Sequence, residues 1–227
     1  MPNLPGPPPV EITLRRSARS RRFSLRVSQL DGRVTLSMPL RARETDAMDF
    51  ARSHESWLRA ALARRPALGL VSIGDQIPDE GRLLALTPGS GRSPRVEGES
   101  LLLPGDPARA GARSLAFLKT LARDRLAEAS DHYAAQIGRK VSRMTLRDTR
   151  SRWGSCAHDG ALMYSWRLIM APPAVLTYVA AHEVAHMVEM NHSDAFWSVV
   201  SGLYPHWQTQ RKWLHAHGKD LHAYQFA

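Results

Sequence analysis

The feature that most constrains this chain is the segment from Pro172 to Ser193, which predicts a helix followed by a sharp corner. Proline suits the first turn of a helix, where its missing N–H group costs nothing. The stretch from Ala174 to Met190 has no glycine or proline and predicts one continuous helix. Asn191 is tolerated in the left-handed conformation that ends helices, and Ser193 is a good N-cap for a second helix.

Three histidines and one glutamate occupy this segment at spacings typical of zinc hydrolases. His182 and His186 are four residues apart, so they lie one turn apart on one helical face. Glu183 lies beside both, which completes the H-E-x-x-H motif. His192 falls in the predicted corner; on a straight helix it would lie about 15 Å from His182. We predict that His182, His186 and His192 bind one Zn²⁺ and that Glu183 is the general base.

An alternative interpretation of the motif is that these histidines are ordinary core or surface residues of an amphipathic helix. The spacing from His182 to His192 equals that of the extended metzincin motif, but Glu189 stands where that motif has glycine. The turn must therefore be made differently. Glu189 shares the face of His182 and His186, yet it still lies on the predicted helix. We expect it to support the site from outside the ligand set, or to face solvent.

The residues around the motif resemble a known family. Four segments carry the resemblance, and they read T-R-S-R-W-G-S-C (149–156), S-W-R-L (165–168), Y-V-A-A-H-E-V-A-H (178–186) and N-H-S-D-A-F-W (191–197). In this order they resemble the YgjP-like metallopeptidase family, which is related to the SprT-like proteases. The resemblance is strong from Thr149 to Trp213 and weaker from Val10 to Pro66.

The resemblance implies a zincin-type catalytic domain with the same four site residues, namely His182, His186 and His192 as ligands and Glu183 as the catalytic glutamate. Two positions depart from the family pattern. Ser165 replaces the usual asparagine, and Thr177 replaces the usual aspartate. Neither is a proposed ligand, so metal binding should survive both changes.

The composition of the chain indicates the cellular compartment in which the protein resides. The 227 residues are 43% hydrophobic, which is enough for a substantial core. The proline-rich start, residues 1–9, lacks the charged and apolar regions of a signal peptide and predicts a flexible tail. No apolar run reaches membrane-spanning length, so we expect no membrane association. The single cysteine, Cys156, suits a reducing compartment and predicts a cytoplasmic protein in which this residue is small, buried and structural.

The chain is strongly basic, with a formal net charge of +10. Its densest cluster lies on what reads as two strands and comprises Arg15, Arg16, Arg19, Arg21, Arg22 and Arg26. Two interpretations stay open. The cluster is a solvated face, or it is a surface for nucleic acid or another acidic partner. No helix-turn-helix, zinc-finger or RNA-recognition signature accompanies it.

The predicted architecture is α+β, with an antiparallel β-rich domain over residues 10–104 and a zincin-like helical domain with a small sheet over residues 105–227. The predicted strands are 10–27, 33–38, 141–147 and 161–168, with a hairpin turn at Asp31-Gly32 and short hairpins over 70–104. The predicted helices are 43–65, ended by Pro66, then 107–138, the metal helix, and 193–217. Four tryptophans read as core anchors: Trp57, Trp197, Trp207 and Trp213.

Two classes of function follow. The first is a zinc-dependent peptidase acting on a protein or peptide, with Arg150, Arg152 and Tyr204 as candidate oxyanion stabilisers by sequence proximity alone. The second is a basic nucleic-acid-associated protein whose metal site is structural or inactive. A protease recruited to DNA would combine the two. A structural zinc site normally has four protein ligands, and only three are evident here, which favours the enzyme.

Overall fold

The computed structural model describes residues 2–28, 32–63 and 69–226. The chain folds into two compact units, Met1–Ala67 and Leu68–Ala227. Helices and small mixed sheets occur together, with a β-rich N-terminal region, which confirms the α+β class. Within the described ranges, no helix combines the length and apolar character needed to cross a membrane.

The first unit is a four-stranded sheet with two helices that share its core. In chain order its elements are β1 (Asn3–Leu4), β2 (Val10–Arg16), β3 (Ser24–Val27), β4 (Val34–Met38), α1 (Glu44–Ser53) and α2 (Glu55–Ala63). The strand order is β1-β2-β4-β3. Alternate residues of the strands, such as Ile12 and Leu36, pack against Met48 and Leu58 of the helices. Period-two alternation in the strands and a helical stripe thus build one small core.

Four predictions for this unit are wrong. Residues 3 and 4 are not a flexible tail, because Leu4 is fully buried and β1 pairs with β2. The sheet is not purely antiparallel, since β2 and β4 run parallel. Trp57 is not a core anchor, because it is 49% exposed while its neighbour Leu58 is buried. The single helix predicted over 43–65 is two helices separated at His54. Asp31 of the predicted hairpin and Pro66 lie outside the described residues.

The second unit contains two further sheets and four longer helices. Its first sheet comprises β5 (Gln76–Asp79), β6 (Arg82–Gly89), β7 (Arg95–Glu97) and β8 (Ser100–Pro104), in the order β5-β6-β8-β7. Its second sheet comprises β9 (Arg143–Arg147), β10 (Gly154–Cys156) and β11 (Ala161–Ser165), in the order β10-β11-β9. The helices are α3 (Ala110–Gln136), α4 (Pro173–Ala185), α5 (Asp194–Leu203) and α6 (Trp207–His217).

One hydrophobic core runs through the whole second unit. Leu84 and Leu101 from the first of its sheets belong to the same buried cluster as Leu118 of α3 and Val179 of α4. The observed division therefore falls at residues 67 and 68, not near residue 104 as the sequence predicted. The short hairpins over 70–104 do form, but their buried face belongs to the same core as the helices and the 3-10 turn Trp166–Met170 that follow.

The C-terminal segment is held by a buried arginine. Arg167 is 9% exposed and lies in the 3-10 turn Trp166–Met170. Its Nε and Nη2 atoms donate to the two carboxylate oxygens of Asp148 at 2.7 and 3.0 Å. Its Nη1 atom donates to the carbonyl oxygens of Leu221 and Tyr224. One side chain thus joins three distant segments by charge-assisted hydrogen bonds.

Candidate metal centre

Helix α4 presents two of the three histidines and the glutamate. It begins at the predicted prolines, with Pro172 at the N-cap and Pro173 in its first turn. It is largely buried, which explains its apolar composition. It ends at Ala185, five residues before the helix end that the sequence predicted at Met190. His186 occupies the C-cap with helical backbone angles. His182 and His186 therefore stay on one face.

A tight corner brings His192 back to that face. The imidazole Nδ1 of His186 lies 2.9 Å from the carbonyl oxygen of Glu189, and the backbone N–H of Ser193 donates to the side chain of Asn191. The hydroxyl oxygen of Ser193 then accepts from the N–H of Phe196, which confirms Ser193 as the N-cap of α5. Glu189 thus supports the site through its backbone carbonyl, a role that its side-chain chemistry could not have revealed.

The three histidines converge. One ligand atom from each of His182, His186 and His192 lies within 4.8 Å of the others. The Nε2 atoms of His182 and His192 are 3.1 Å apart. Two nitrogen ligands of a tetrahedral zinc ion, each at about 2.0–2.1 Å from the metal, are separated by roughly 3.3 Å. The Phe196 ring packs against all three imidazoles, with centroid distances of 4.4 to 4.9 Å, and holds them in place.

The electrostatics of the cluster also suit a metal. Burial lowers the pKa of His182 to about 3, and the neighbouring His186 and His192 act in the same direction. Burial likewise lowers the pKa of His186. A neutral imidazole is the form that ligates a metal ion. With Nδ1 of His186 donating to the Glu189 carbonyl, its Nε2 lone pair is free for a metal, so these residues fit the ion that the motif implies.

Glu183 lies beside the cluster but outside its ligand set. Its side chain is 6% exposed. Burial raises the pKa of Glu183 to about 8, and the charge of Arg152 acts against that rise. Gly154 of β10 makes room for it, because a Cβ atom at residue 154 would lie 2.5 Å from Oε1 of Glu183. The sequence pointed to this segment only through the family resemblance, so this edge strand with its glycine is a component of the site that sequence reasoning missed.

The three histidines line a cleft of about 370 Å³ together with Glu183 and Gly154. Of the three predicted oxyanion stabilisers, Arg152 lines the cleft, whereas Arg150 and Tyr204 are not among its lining residues. Tyr178, one turn before His182 on α4, also lines it and was not predicted. Cys156 lies half-buried in the same cleft, where burial raises the pKa of its thiol to about 11, so the thiol is a poor nucleophile at neutral pH.

The six predicted nucleic-acid-binding arginines lie in the first unit. Arg15 and Arg16 are on β2, Arg26 is on β3, and Arg19, Arg21 and Arg22 lie between these strands. Arg15 pairs in register with Ser37, and Arg26 with Thr35, so both project on the face opposite the core. Arg16 projects on the core side and donates to the carbonyl oxygens of Leu40 and Ala42, with Glu44 beside it. Arg16 therefore has a structural role within the first unit, because its guanidinium already binds these partners.

Two of the predicted tryptophan anchors form a pair beside the metal centre. The rings of Trp197 and Trp207 stack at 4.2 Å, and the centroid of Trp197 lies 5.8 Å from those of His182 and His192. Trp197, Trp207 and Trp213 are only partly buried and pack on the edge of the core. The single helix predicted over 193–217 is wrong, and it would place Trp197 and Trp207 about 15 Å apart along its axis. The observed break between α5 and α6 brings the two rings together.

A family model for the YgjP-like metallopeptidase domain matches residues 21–217 of this chain. The chain belongs to the YgjP-like metallopeptidase family. The match spans most of the chain and includes every predicted metal-site residue, which confirms the resemblance seen in the sequence. A family of metallopeptidases and a cluster of three histidines together indicate a peptidase-type enzyme with a metal site. Neither the comparison with curated proteins nor that with solved structures gave a match.

Proposed function

We propose that this protein is a zinc-dependent metallopeptidase that hydrolyses peptide bonds in a protein or peptide substrate. The observation that supports this most directly is the division of roles within one cleft. Three histidines converge on one point, and a buried glutamate lies next to them without joining them. A structural zinc site would normally have a fourth protein ligand. Among the described residues, the cluster contains three.

Zinc is the metal we propose, because three neutral imidazoles with one open position form a common catalytic zinc site. His182, His186 and His192 would hold it. When bound, the ion would lower the pKa of water and polarise a substrate carbonyl.

Glu183 carries the proton transfer in this proposal. Its carboxylate accepts a proton from the attacking water and then delivers it to the leaving amine. Burial suits this task, because a carboxylate with a raised pKa can both accept a proton and return it near neutral pH. Arg152 lines the same cleft and is our candidate for stabilising the oxyanion.

The test is Glu183→Gln in protein loaded with zinc. Glutamine keeps the size of the side chain but cannot take the proton, so hydrolysis of casein or of a peptide mixture should fall by about 10² to 10⁴-fold. Zinc content and the melting temperature should stay close to those of the unmodified protein. Equal hydrolysis by the zinc-loaded variant would contradict the mechanism, and loss of zinc would make Glu183 a ligand or a structural support.

A second candidate function is nucleic-acid association through the first unit, including a protease recruited to DNA. It is supported by the exposed arginines Arg15 and Arg26 on the face of the sheet opposite the core. Binding to DNA or RNA should weaken steeply as salt rises, because phosphate contacts release counterions. Replacing Arg19, Arg21 and Arg22 by serine should weaken it about equally for all sequences. If the protein binds neither DNA nor RNA at low salt, the remaining interpretation of this arginine cluster is a solvated face.

We also propose that the protein resides in the cytoplasm.

A further inference from the structure

The metal cleft has an arginine on its strand side. Arg152 lies directly before Trp153 and β10, is exposed, and is one of the residues that line the cleft. In the described part of the chain, its guanidinium makes no ion pair with a carboxylate. Its charge is therefore available to a ligand in the cleft.

A second arginine is held on the helix side. The guanidinium carbon of Arg211 on α6 lies 5.0 Å from the ring centre of Trp197 and 5.8 Å from that of Trp207. Trp197 in turn lies 5.8 Å from two of the metal ligands. Leu214, one turn further along α6 on the same side, lines the cleft. The stacked tryptophans thus keep a cation beside the metal centre.

The charges around the cleft are unbalanced. Among its described lining residues, Glu183 is the one carboxylate, and it is buried. Arg211, like Arg152, makes no ion pair with a carboxylate of the described residues. Arg152 lines the cleft itself, whereas Arg211 is not among the lining residues and lies over Trp197, beside the histidines. Together these two exposed guanidinium groups make the mouth of the cleft positive. Charge of one sign in a cleft raises the local concentration of ligands of the other sign.

We propose that Arg152 and Arg211 make this cleft selective for peptides that carry a carboxylate close to the scissile bond. This inference rests on the proposed peptidase function and adds the class of substrate. The carboxylate can come from an aspartate or glutamate side chain, or from a free C-terminus. Guanidinium groups bind both through the same paired N–H···O contacts.

The experiment uses peptides matched in length and sequence. One pair differs by aspartate or asparagine on either side of the cleaved bond, and another by a free or an amidated C-terminus. We expect kcat/KM to favour the carboxylate by about fivefold or more for each arginine engaged, the factor that corresponds to about 1 kcal/mol for an exposed ion pair. The pair that shows the preference identifies the source of the carboxylate. The preference should shrink as ionic strength rises.

Variants of the arginines test the assignment. Arg152→Gln and Arg211→Gln should each reduce the ratio of kcat/KM for the acidic peptide to that for its neutral partner. Arg152→Gln should also lower hydrolysis of both peptides, because Arg152 is the candidate oxyanion stabiliser. The corresponding lysine variants should retain part of the ratio because they keep the charge. Arg123→Gln is the matched control, since Arg123 is an exposed arginine of α3 that neither lines the cleft nor lies over the tryptophans beside it. It changes the net charge equally and should leave the preference unchanged.

Binding to the zinc-loaded Glu183→Gln protein separates this inference from the proposed function. If acidic peptides bind more tightly than neutral ones but no peptide is cleaved by the unmodified protein, the carboxylate site stands and the peptidase proposal fails. If peptides are cleaved and bound without regard to charge, or if Arg123→Gln lowers the preference as much as the cleft variants do, the carboxylate proposal is overturned. Failure to bind either peptide overturns it as well.

Discussion

Gly154→Ala should separate the placement of Glu183, the proposed general base, from metal binding. A Cβ atom at this position would lie 2.5 Å from Oε1, 2.6 Å from Cγ and 2.7 Å from Cδ of Glu183. Ordinary contacts between such atoms are about 3.5–4.0 Å, so the added methyl group requires a displacement of about 1 Å. Glu183 takes most of this displacement, because Gly154 is held in the β10–β11 ladder opposite Tyr164.

The expected loss of activity follows from that displacement. A misplacement of about 1 Å in a catalytic group costs roughly 10²-fold in rate. We therefore expect kcat to fall about a hundredfold with little change in KM, the behaviour of an interaction made only in the transition state. The atoms nearest to the added Cβ all belong to Glu183 and none to a histidine, so the variant should bind one zinc ion like the unmodified protein. The hundredfold fall in kcat equals the lower end of the range expected for removing a general base.

The assay combines single-substrate kinetics, metal analysis and thermal unfolding on the same preparations. Gly202→Ala in α5 is the matched control, because a Cβ atom at residue 202 would meet nothing within 4 Å. It should leave kcat and zinc content unchanged. A folded, zinc-loaded Gly154→Ala protein with unaltered kcat would refute the view that the position of the Glu183 carboxylate limits hydrolysis. Loss of zinc would mean that Gly154 supports the metal site as a whole.

Three further predictions concern the metal ligands and the clamp formed by Arg167 with Asp148 and the C-terminal carbonyl groups. His192→Ala should sharply lower zinc retention in metal analysis, whereas His206→Ala should not; full zinc occupancy in His192→Ala would remove that residue from the site. Arg167→Met should lower the free energy of unfolding by roughly 2–3 kcal/mol, because the buried carbonyl groups it serves lose their donor; an unchanged urea midpoint would contradict the clamp. Burial alone would raise the pKa of Asp148, but the hydrogen bond and charge of Arg167 outweigh it and lower this pKa. The pair therefore adds stability above the ordinary aspartate pKa of 3.8 and loses it as the pH falls through the lower folded-state value, so Asp148→Asn should flatten this acid limb of a melting-temperature profile.

Much of the metal centre could be predicted from the sequence because its determinants are local. Helical spacing alone places His182 and His186 on one face, and the Ser193 cap together with the break near Asn191 implies the return of His192. The exact end of α4 was not predictable. The turns after Ala185 are set by hydrogen bonds such as that from His186 to Glu189, which depend on the corner as a whole.

The partners of short strands were not predictable in the same way. Local alternation indicates that β2 and β4 are strands, but it does not specify that they pair in parallel, because that choice depends on where the intervening residues and the helices pack. The unit boundary has the same origin. The hairpins of β5 to β8 read as part of an N-terminal domain, yet their apolar side chains are buried against helices that lie later in the chain.

The sequence by itself determined which groups form the candidate site, namely three imidazoles and one carboxylate. It also determined the helix that carries most of them and the family to which the chain belongs. These depend on residue types and on spacings of a few positions. Only the tertiary structure decided that Gly154 lies against Glu183 and that Arg211 is held beside the ligands by Trp197 and Trp207. The contacts of Gly154 with Glu183 and of Arg211 with Trp197 join separate elements of the fold, and they form because the buried faces of those elements must share one core.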